Sequence, residues 1–397
     1  MSRLLLFDPH ASGHHADHIF WIASAWAQRP YEGDLILAVD ERQFEDSPEL
    51  LRLASSPSIQ AHPLPPDPGG PLHQIARHAY KHLSEVTARY HPNAVVATYM
   101  DSLQPALALR VSLPSETRLA GVLFRPDLHY TALGFPPRSL GERLNRTRKR
   151  VTLRQALRHR RLSDVFSLDP TAVSAIRAMT QETRVHALPD PAFITSPTQD
   201  VQSVRSALGV EPGRHLGLLI GSLTERKGVS VLFRSLGHLR PHEARRLTVV
   251  LAGRALGPYR ARLTREIREL RESTDVQLIY QDGFVPDDQV QNLIAAADQV
   301  LAPYQRHTGS SGIVMRAAAA GVPVLSQSWG LMGHQVQTHR LGQTLDTSDS
   351  TALAAALVRA MEMPHTGFDA RSAAAFATRH TVKAFTSRLL DTFLPPP

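Results

Sequence analysis

The chain has no cysteine in 397 residues. A disulfide framework and thiol chemistry are therefore excluded, and the absence suits a reducing cytoplasm. No hydrophobic run approaches the length of a membrane-spanning helix. The opening Met1-Ser2-Arg3-Leu4-Leu5-Leu6-Phe7-Asp8 is too short for a signal-peptide core and reads as a first strand. Other absences narrow the chemistry. There is no H-E-x-x-H, no convincing D-x-D to join a metal to a diphosphate, and no G-x-x-x-x-G-K-[ST] P-loop. Zinc-finger, RNP-type and helix-turn-helix patterns are missing too, which disfavours nucleic acid as a partner. No internal repeat is visible.

What is present is an alternation of short apolar runs and helical patterns, the mark of an α/β protein. A length of 397 residues, 42% of them hydrophobic, allows two cored domains. In the first half, strands are expected at 4–7, 34–39, 94–98, 119–124, 165–167 and 185–188, with helices between them. Residues 63–71, Pro-Leu-Pro-Pro-Asp-Pro-Gly-Gly-Pro, are expected to be a loop, because proline excludes regular pairing. Residues 190–202 carry Pro191 and Pro197 and read as a linker. The expected domains are 1–195 and 203–377.

Net charge is +8 and concentrated in one place. Between Arg138 and Arg161 there are ten Lys/Arg and one acid, Glu142, a sum of +9, so the rest of the chain sums to −1. Leu140, Leu144, Val151, Leu153 and Leu157 stand at approximately helical spacing within it. A basic amphipathic helix suits an anionic membrane surface or an anionic acceptor, and equally a solvated face whose long Arg stems cover apolar surface.

Three segments of the second half carry the chemistry. The run 216–220 reads as a buried parallel strand, followed by Gly221-Ser222-Leu223-Thr224-Glu225-Arg226-Lys227-Gly228. Two adjacent cations after a strand suit a diphosphate, Arg as a planar fork and Lys as a mobile point charge. The run 276–280 is followed by Gly283-Phe284-Val285-Pro286-Asp287 and a helix, then by the strand 299–302. Ser310-Ser311-Gly312 opens a helix through Ile313, Val314, Met315 and four alanines to Gly321, before the strand Val322-Pro323-Val324-Leu325. A helix opening on such a turn offers free N–H groups and its positive dipole end to an anion.

In this order and spacing the three segments resemble the C-terminal half of GT-B glycosyltransferases, in particular the large retaining, family-4-type group. The resemblance is strong over about 205–345. It implies two Rossmann-like domains facing across a cleft, with a C-terminal helix, about 378–397, crossing back to the first domain. It implies a nucleotide-sugar donor whose diphosphate lies on Arg226 and Lys227. The base lies against Phe284 and Val285, and the distal phosphate on N–H groups at Ser310, Ser311, Gly312 and Ile313, with Gly221 and Ser222 lining the site. The family's two glutamates, eight positions apart, hold the donor sugar and the ribose. Here Thr308 and Arg316 stand at those positions, and neither is a carboxylate acceptor.

On the acceptor side the resemblance points to a Gly-containing first loop, here Gly13 with His14 and His15, and to Asp101. A donor-facing residue follows the strand 119–124, where Arg125 and His129 are the candidates. His10, His14, His15 and His18 with Asp8 and Asp17 could also suggest a metal cluster, since His14 and His18 stand four apart, but they straddle the Gly13 turn. The expected enzyme is a retaining, metal-independent, cofactor-free glycosyltransferase, cytoplasmic or peripheral at the inner membrane face. Its acceptor would be a glycan, a lipid or a small molecule. In the implied same-face displacement the leaving phosphate helps deprotonate the acceptor, with Arg226, Lys227 and the helix N–H groups stabilising its charge. The alternatives are a non-catalytic GT-B binder of glycan or partner, and a nucleotide-sugar epimerase.

Overall fold

The computed structural model describes residues 2–10, 14–29, 33–109, 113 and 116–394. The chain divides into two compact units. Unit 1 holds Met1–His129, Pro137–Asp190 and Val382–Pro397; unit 2 holds Tyr130–Pro136 and Pro191–Thr381.

In unit 1 the strands are β1 (Ser2–Asp8), β2 (Gly33–Asp40), β3 (Ile59–Leu64), β4 (Ala94–Ala97), β5 (Arg118–Leu123), β6 (Leu162–Ser167) and β7 (Arg184–Ala187). They form one parallel sheet in the order β3-β2-β1-β4-β5-β6-β7. Successive side chains along a strand face opposite ways, so Leu4 and Leu6 enter one core while Leu5 and Phe7 enter the other. One face is covered by the helices Leu72–Tyr90 and Met100–Ala108 through Leu83, Val86 and Leu103. The other is covered by His14–Ala27 and by the last helix, Val382–Leu390, through Ile19, Trp26, Phe385 and Leu389.

Unit 2 repeats the plan with β8 (His215–Ile220), β9 (Leu247–Ala252), β10 (Gln277–Gln281), β11 (Gln299–Ala302), β12 (Val324–Gln327) and β13 (Gly342–Leu345). These strands are parallel in the order β10-β9-β8-β11-β12-β13. Helices Asp287–Ala296 and Gly312–Ala320 pack on one face, and Val229–Leu236, Pro258–Ser273 and Ser350–Glu362 on the other. In each sheet the strand order reverses at one point, between β1 and β4 and between β8 and β11. At such a reversal the loops leaving the carboxyl ends part to opposite faces and open a crevice for a ligand.

Three expectations change. Pro63 is not in a loop but in β3, opposite Val39. β3 is the edge strand, and an edge strand tolerates a residue that cannot donate to the ladder. The division between units falls after Asp190 and after Thr381, where the chain was expected to divide at about 195 and 378. Ala192 bridges Thr381, and its N–H donates to the His380 carbonyl, which ties both segments to unit 2. The basic segment forms the helix Leu140–Ala156, but its apolar residues do not make one stripe. Leu153, Ala156 and the following Leu157 are buried, whereas Leu140, Leu144 and Val151 are 76%, 71% and 54% exposed.

Candidate functional site

The crevice at the β8/β11 reversal is built from two loops held in close contact. Gly221 follows β8, and its N–H donates to the Ala252 carbonyl of β9. The loop then turns through Glu225–Lys227 into Gly228, whose φ is 76°. A Cβ at Gly228 would lie 1.9 Å from the Pro303 carbonyl oxygen, so only glycine lets this loop meet the end of β11. The Arg226 carbonyl accepts from the Gln305 N–H at 2.7 Å, closing the same contact.

Lys227 is buried, with its ammonium donating to the Ile220 carbonyl at 3.2 Å and to the Tyr304 hydroxyl. It also lies 4.3 Å from the Tyr304 ring centre. The Tyr304 hydroxyl stands 3.3 Å from Ser311 Oγ, so the cation is linked to the N-cap of the helix Gly312–Ala320. Burial pushes the Tyr304 phenol up, but the Lys227 charge, hydrogen bonds with Lys227 and Ser311, and Arg226 together bring it below its ordinary value. Ser311 offers no side-chain cap to its own helix. Val314 and Met315 N–H groups return to the Ser311 carbonyl, leaving the first N–H groups, those of Gly312 and Ile313, for an anion.

Arg226 is exposed, and its Nη1 lies 3.3 Å from His307 Nδ1. His307 Nε2 is 2.8 Å from the Ser310 carbonyl. A carbonyl only accepts, so Nε2 carries the proton and Nδ1 accepts from the guanidinium. His307 thus orients Arg226 and steadies the Ser310 turn together. Ser222 is exposed at the same loop, and Thr308 is half-buried, its carbonyl accepting from Leu331 N–H at 2.8 Å.

Beyond β10, Gly283 turns the chain with a φ of 138° and presents Phe284, 83% exposed, beside the half-buried Val285. Arg316, on the helix Gly312–Ala320, pairs with Asp287, the first residue of the helix Asp287–Ala296. The position where the resemblance leads one to expect a glutamate is therefore a buried cation with its own carboxylate partner.

Unit 1 carries a second polar cluster, at its own β1/β4 reversal. Asp8, fully buried at the end of β1, accepts from His15 Nδ1 at 3.0 Å, from Thr98 Oγ1 at 2.7 Å and from His10 N–H at 3.0 Å. His15 stacks on Phe124 and meets the edge of Tyr99. Burial lowers the His15 imidazole, but the hydrogen bond and charge of Asp8 outweigh it and leave the pKa raised. His10, dominated by burial, is lowered. Tyr99 is pushed up to about 12 by burial. Asp101 accepts from the N–H groups of Phe124 and Arg125, at 2.8 and 3.4 Å, and so pins the end of β5. Burial pushes its carboxyl up.

The other sequence candidates separate. His129 pairs with Asp169 at 3.0 Å and with Thr171 Oγ1 at 2.7 Å, while Arg125 is exposed. His18 packs between Trp21, Phe124 and Phe385, so it is a core residue and not half of an i, i+4 ligand pair with His14. Gly13 and the His14 side chain lie outside the described residues. Among the described residues, no group of three or more His, Asp or Glu could hold a metal ion. Tyr304, His307 and Asp287 hold positions in this geometry to which sequence reasoning assigned no role, and Asp8, read there only as part of a possible metal cluster, is instead the acceptor of the unit 1 cluster. The only signal for the first two is a Tyr-x-x-His spacing just past a strand end.

Comparison with known proteins agrees with this architecture. Residues 214–363 match the family Glycosyl transferases group 1. WcaL of Salmonella typhimurium, assigned to colanic acid biosynthesis as a glycosyltransferase, is 29% identical over 162 residues. That match spans 39% of this chain and 38% of WcaL. Anabaena Alr3699/HepE, solved in complex with UDP, superposes with a TM-score of 0.69 at 19% identity over 99% of both chains. WaaG, a glycosyltransferase involved in lipopolysaccharide biosynthesis, does so with a TM-score of 0.65 at 16% identity over 100% of both. The chain therefore has the two-sheet α/β fold of GT-B glycosyltransferases, and residues 214–363 of its second unit match the model of the Glycosyl transferases group 1 domain.

Proposed function

We propose that the protein is a retaining glycosyltransferase that takes its sugar from a nucleotide-sugar donor bound by unit 2. The observation that carries this reading is the meeting of Arg226, Lys227 and the open N-terminus of helix Gly312–Ala320 at the β8/β11 reversal. Together these donors suit a dianion, and the exposed ring of Phe284 follows β10 of the same sheet. The Anabaena relative in fold has been solved with UDP and with UDP-glucose, which supports a nucleotide-sugar for this chain too. As the diphosphate leaves, its charge grows where these donors already point. The leaving phosphate would take the acceptor proton on the same face, so no protein nucleophile is required. His10, His15, Tyr99 and Asp101 are the groups of unit 1 suited to hold acceptor hydroxyls.

The basic helix Leu140–Ala156 favours an anionic acceptor surface. Its buried side is anchored by Leu153 and by the Lys149–Asp127 ion pair. Leu140, Leu144 and Val151 are 4 and 11 residues from the first, close to whole turns at about 3.6 residues each, so they share one exposed stripe. The helix-surface neighbours Arg143, Arg148 and Arg154 are exposed as well. Among the described residues, no helix is long and apolar enough to cross a membrane, which leaves attachment at the surface as the mode this helix suits.

The test is a panel of nucleotide-sugars, read first by thermal shift and then by donor hydrolysis or transfer, with and without EDTA. Stabilisation by one donor together with EDTA-resistant turnover is expected. A shift without turnover would favour the non-catalytic binder, a reading that Thr308 and Arg316 at the glutamate positions keep open. Turnover lost in EDTA and restored by Mg²⁺ or Mn²⁺ would overturn metal independence.

A further inference from the structure

Arg316 and Asp287 form an unequal pair. The Arg316 side chain is 11% exposed and that of Asp287 57%. A buried guanidinium without a counter-charge is costly, so Asp287 is held to it. Only part of the carboxylate is used, because an ionised carboxylate has about four acceptor positions and a single Arg316 nitrogen takes one. The result is a pinned, solvent-facing acceptor.

Its place in the site is defined by its neighbours along two elements. Phe284, the exposed ring, precedes Asp287 by three residues. Arg316, which holds it, sits about one turn beyond the Gly312 and Ile313 N–H groups. In a nucleoside diphosphate the ribose joins the base to the phosphates. With the base on Phe284 and the diphosphate on the helix N-terminus, Arg226 and Lys227, the ribose falls between the elements that Arg316 and Asp287 tie together.

We propose that Asp287, oriented by Arg316, accepts the ribose hydroxyls of the bound nucleoside diphosphate. The acceptor expected from a glutamate on the helix Gly312–Ala320 would thus be supplied from the start of the helix Asp287–Ala296. Asp287 is the residue that distinguishes ribonucleotide from deoxyribonucleotide, and Arg316 is its positioning residue. The inference rests on the donor-site reading.

The experiment is calorimetry with UDP, ADP and GDP and their 2′-deoxy counterparts on the wild type, D287A, R316M and R226A, each checked for fold by circular dichroism and melting. The wild type should prefer the ribose form of its nucleotide by about tenfold or more, as for a hydrogen bond to a charged group. D287A should bind both forms at the level of the wild type with the deoxy form, the ratio falling to about one. R316M should lower the ratio in part, and R226A should weaken both forms alike and keep it. A wild-type ratio in D287A, or no preference in the wild type, would overturn this assignment while leaving the donor site standing. Failure of the wild type to bind any of the six would overturn both.

Discussion

Lys227 would be an expensive residue to bury without the contacts around it. It is a cation with its head against one carbonyl, one phenol and the face of that phenol's ring, and its loop is locked by Gly228. The Tyr304 hydroxyl is the centre of this arrangement, since it joins Lys227 to Ser311 at the helix N-cap. Tyr304→Phe keeps the ring and removes the link. The variant is expected to fold and to bind a nucleoside diphosphate about threefold to tenfold more weakly, the worth of one net hydrogen bond. Unchanged affinity by calorimetry would mean that Tyr304 only fills space. The residue types at this site were legible as a chain: Arg226-Lys227 after a strand, and Ser310-Ser311-Gly312 before a helix. Tyr304 and His307 were not, because their roles arise from a partner about 80 positions away, and nothing in the local pattern marks it.

At the scale of elements, one buried acid ties three strands. Asp164 on β6 meets Arg118 of β5 at 3.3 Å, and Arg184 and His186 of β7 each at 2.8 Å. Burial alone pushes its carboxyl up, but hydrogen bonds from Arg184, His186 and Ser163 hold it well below the usual carboxylate range. A carboxyl lowered by folding stabilises the protein at pH values above its unfolded value, about 3.9, and loses that contribution as pH falls toward the folded value. Asp164→Asn should therefore cost about 1.5–3 kcal/mol at neutral pH, and this difference from the wild type should shrink below about pH 4. Urea melts at pH 7 and pH 3 check it, and an equal loss at both would show that packing, not charge, is responsible. The basic helix belongs to the same scale. Vesicle sedimentation should show it binding anionic but not neutral lipid, with the binding weakened by salt. Equal, salt-insensitive binding to both, or none to either, would leave a solvated face. The apolar periodicity of this helix was readable from sequence, but not its division into a buried end and an exposed stripe, which depends on where unit 1 stops. Pro63 taught the complementary lesson: proline forbids donation to a ladder, and only the strand order showed that no donation is needed at that edge.

At the scale of the whole chain, two sheets of the same type place their polar clusters at the same topological point. Asp8, His10, His15 and Tyr99 gather at the β1/β4 reversal, and Arg226, Lys227, Tyr304 and His307 at the β8/β11 reversal. The alternation of apolar runs made the α/β class and most strands legible. It could not assign the segment Tyr130–Pro136 to unit 2, since that stretch lies in sequence between β5 and a helix of unit 1. Its ties include a backbone bond from Gly330 N–H to the Leu133 carbonyl and the Arg306 guanidinium 5.4 Å from the Phe135 ring centre, and the local pattern marks neither partner. The account stands on the claim that the β8/β11 crevice of unit 2 binds a nucleoside diphosphate through its cations. The direct measurement is calorimetric titration of wild type, Arg226→Ala and Lys227→Met with UDP, ADP and GDP. The account predicts that at least one nucleotide binds the wild type and that each variant binds it about ten- to a hundredfold more weakly, the worth of a charge-assisted contact. Equal affinity in the wild type and both variants, or no binding of any of the three by the wild type, would contradict it.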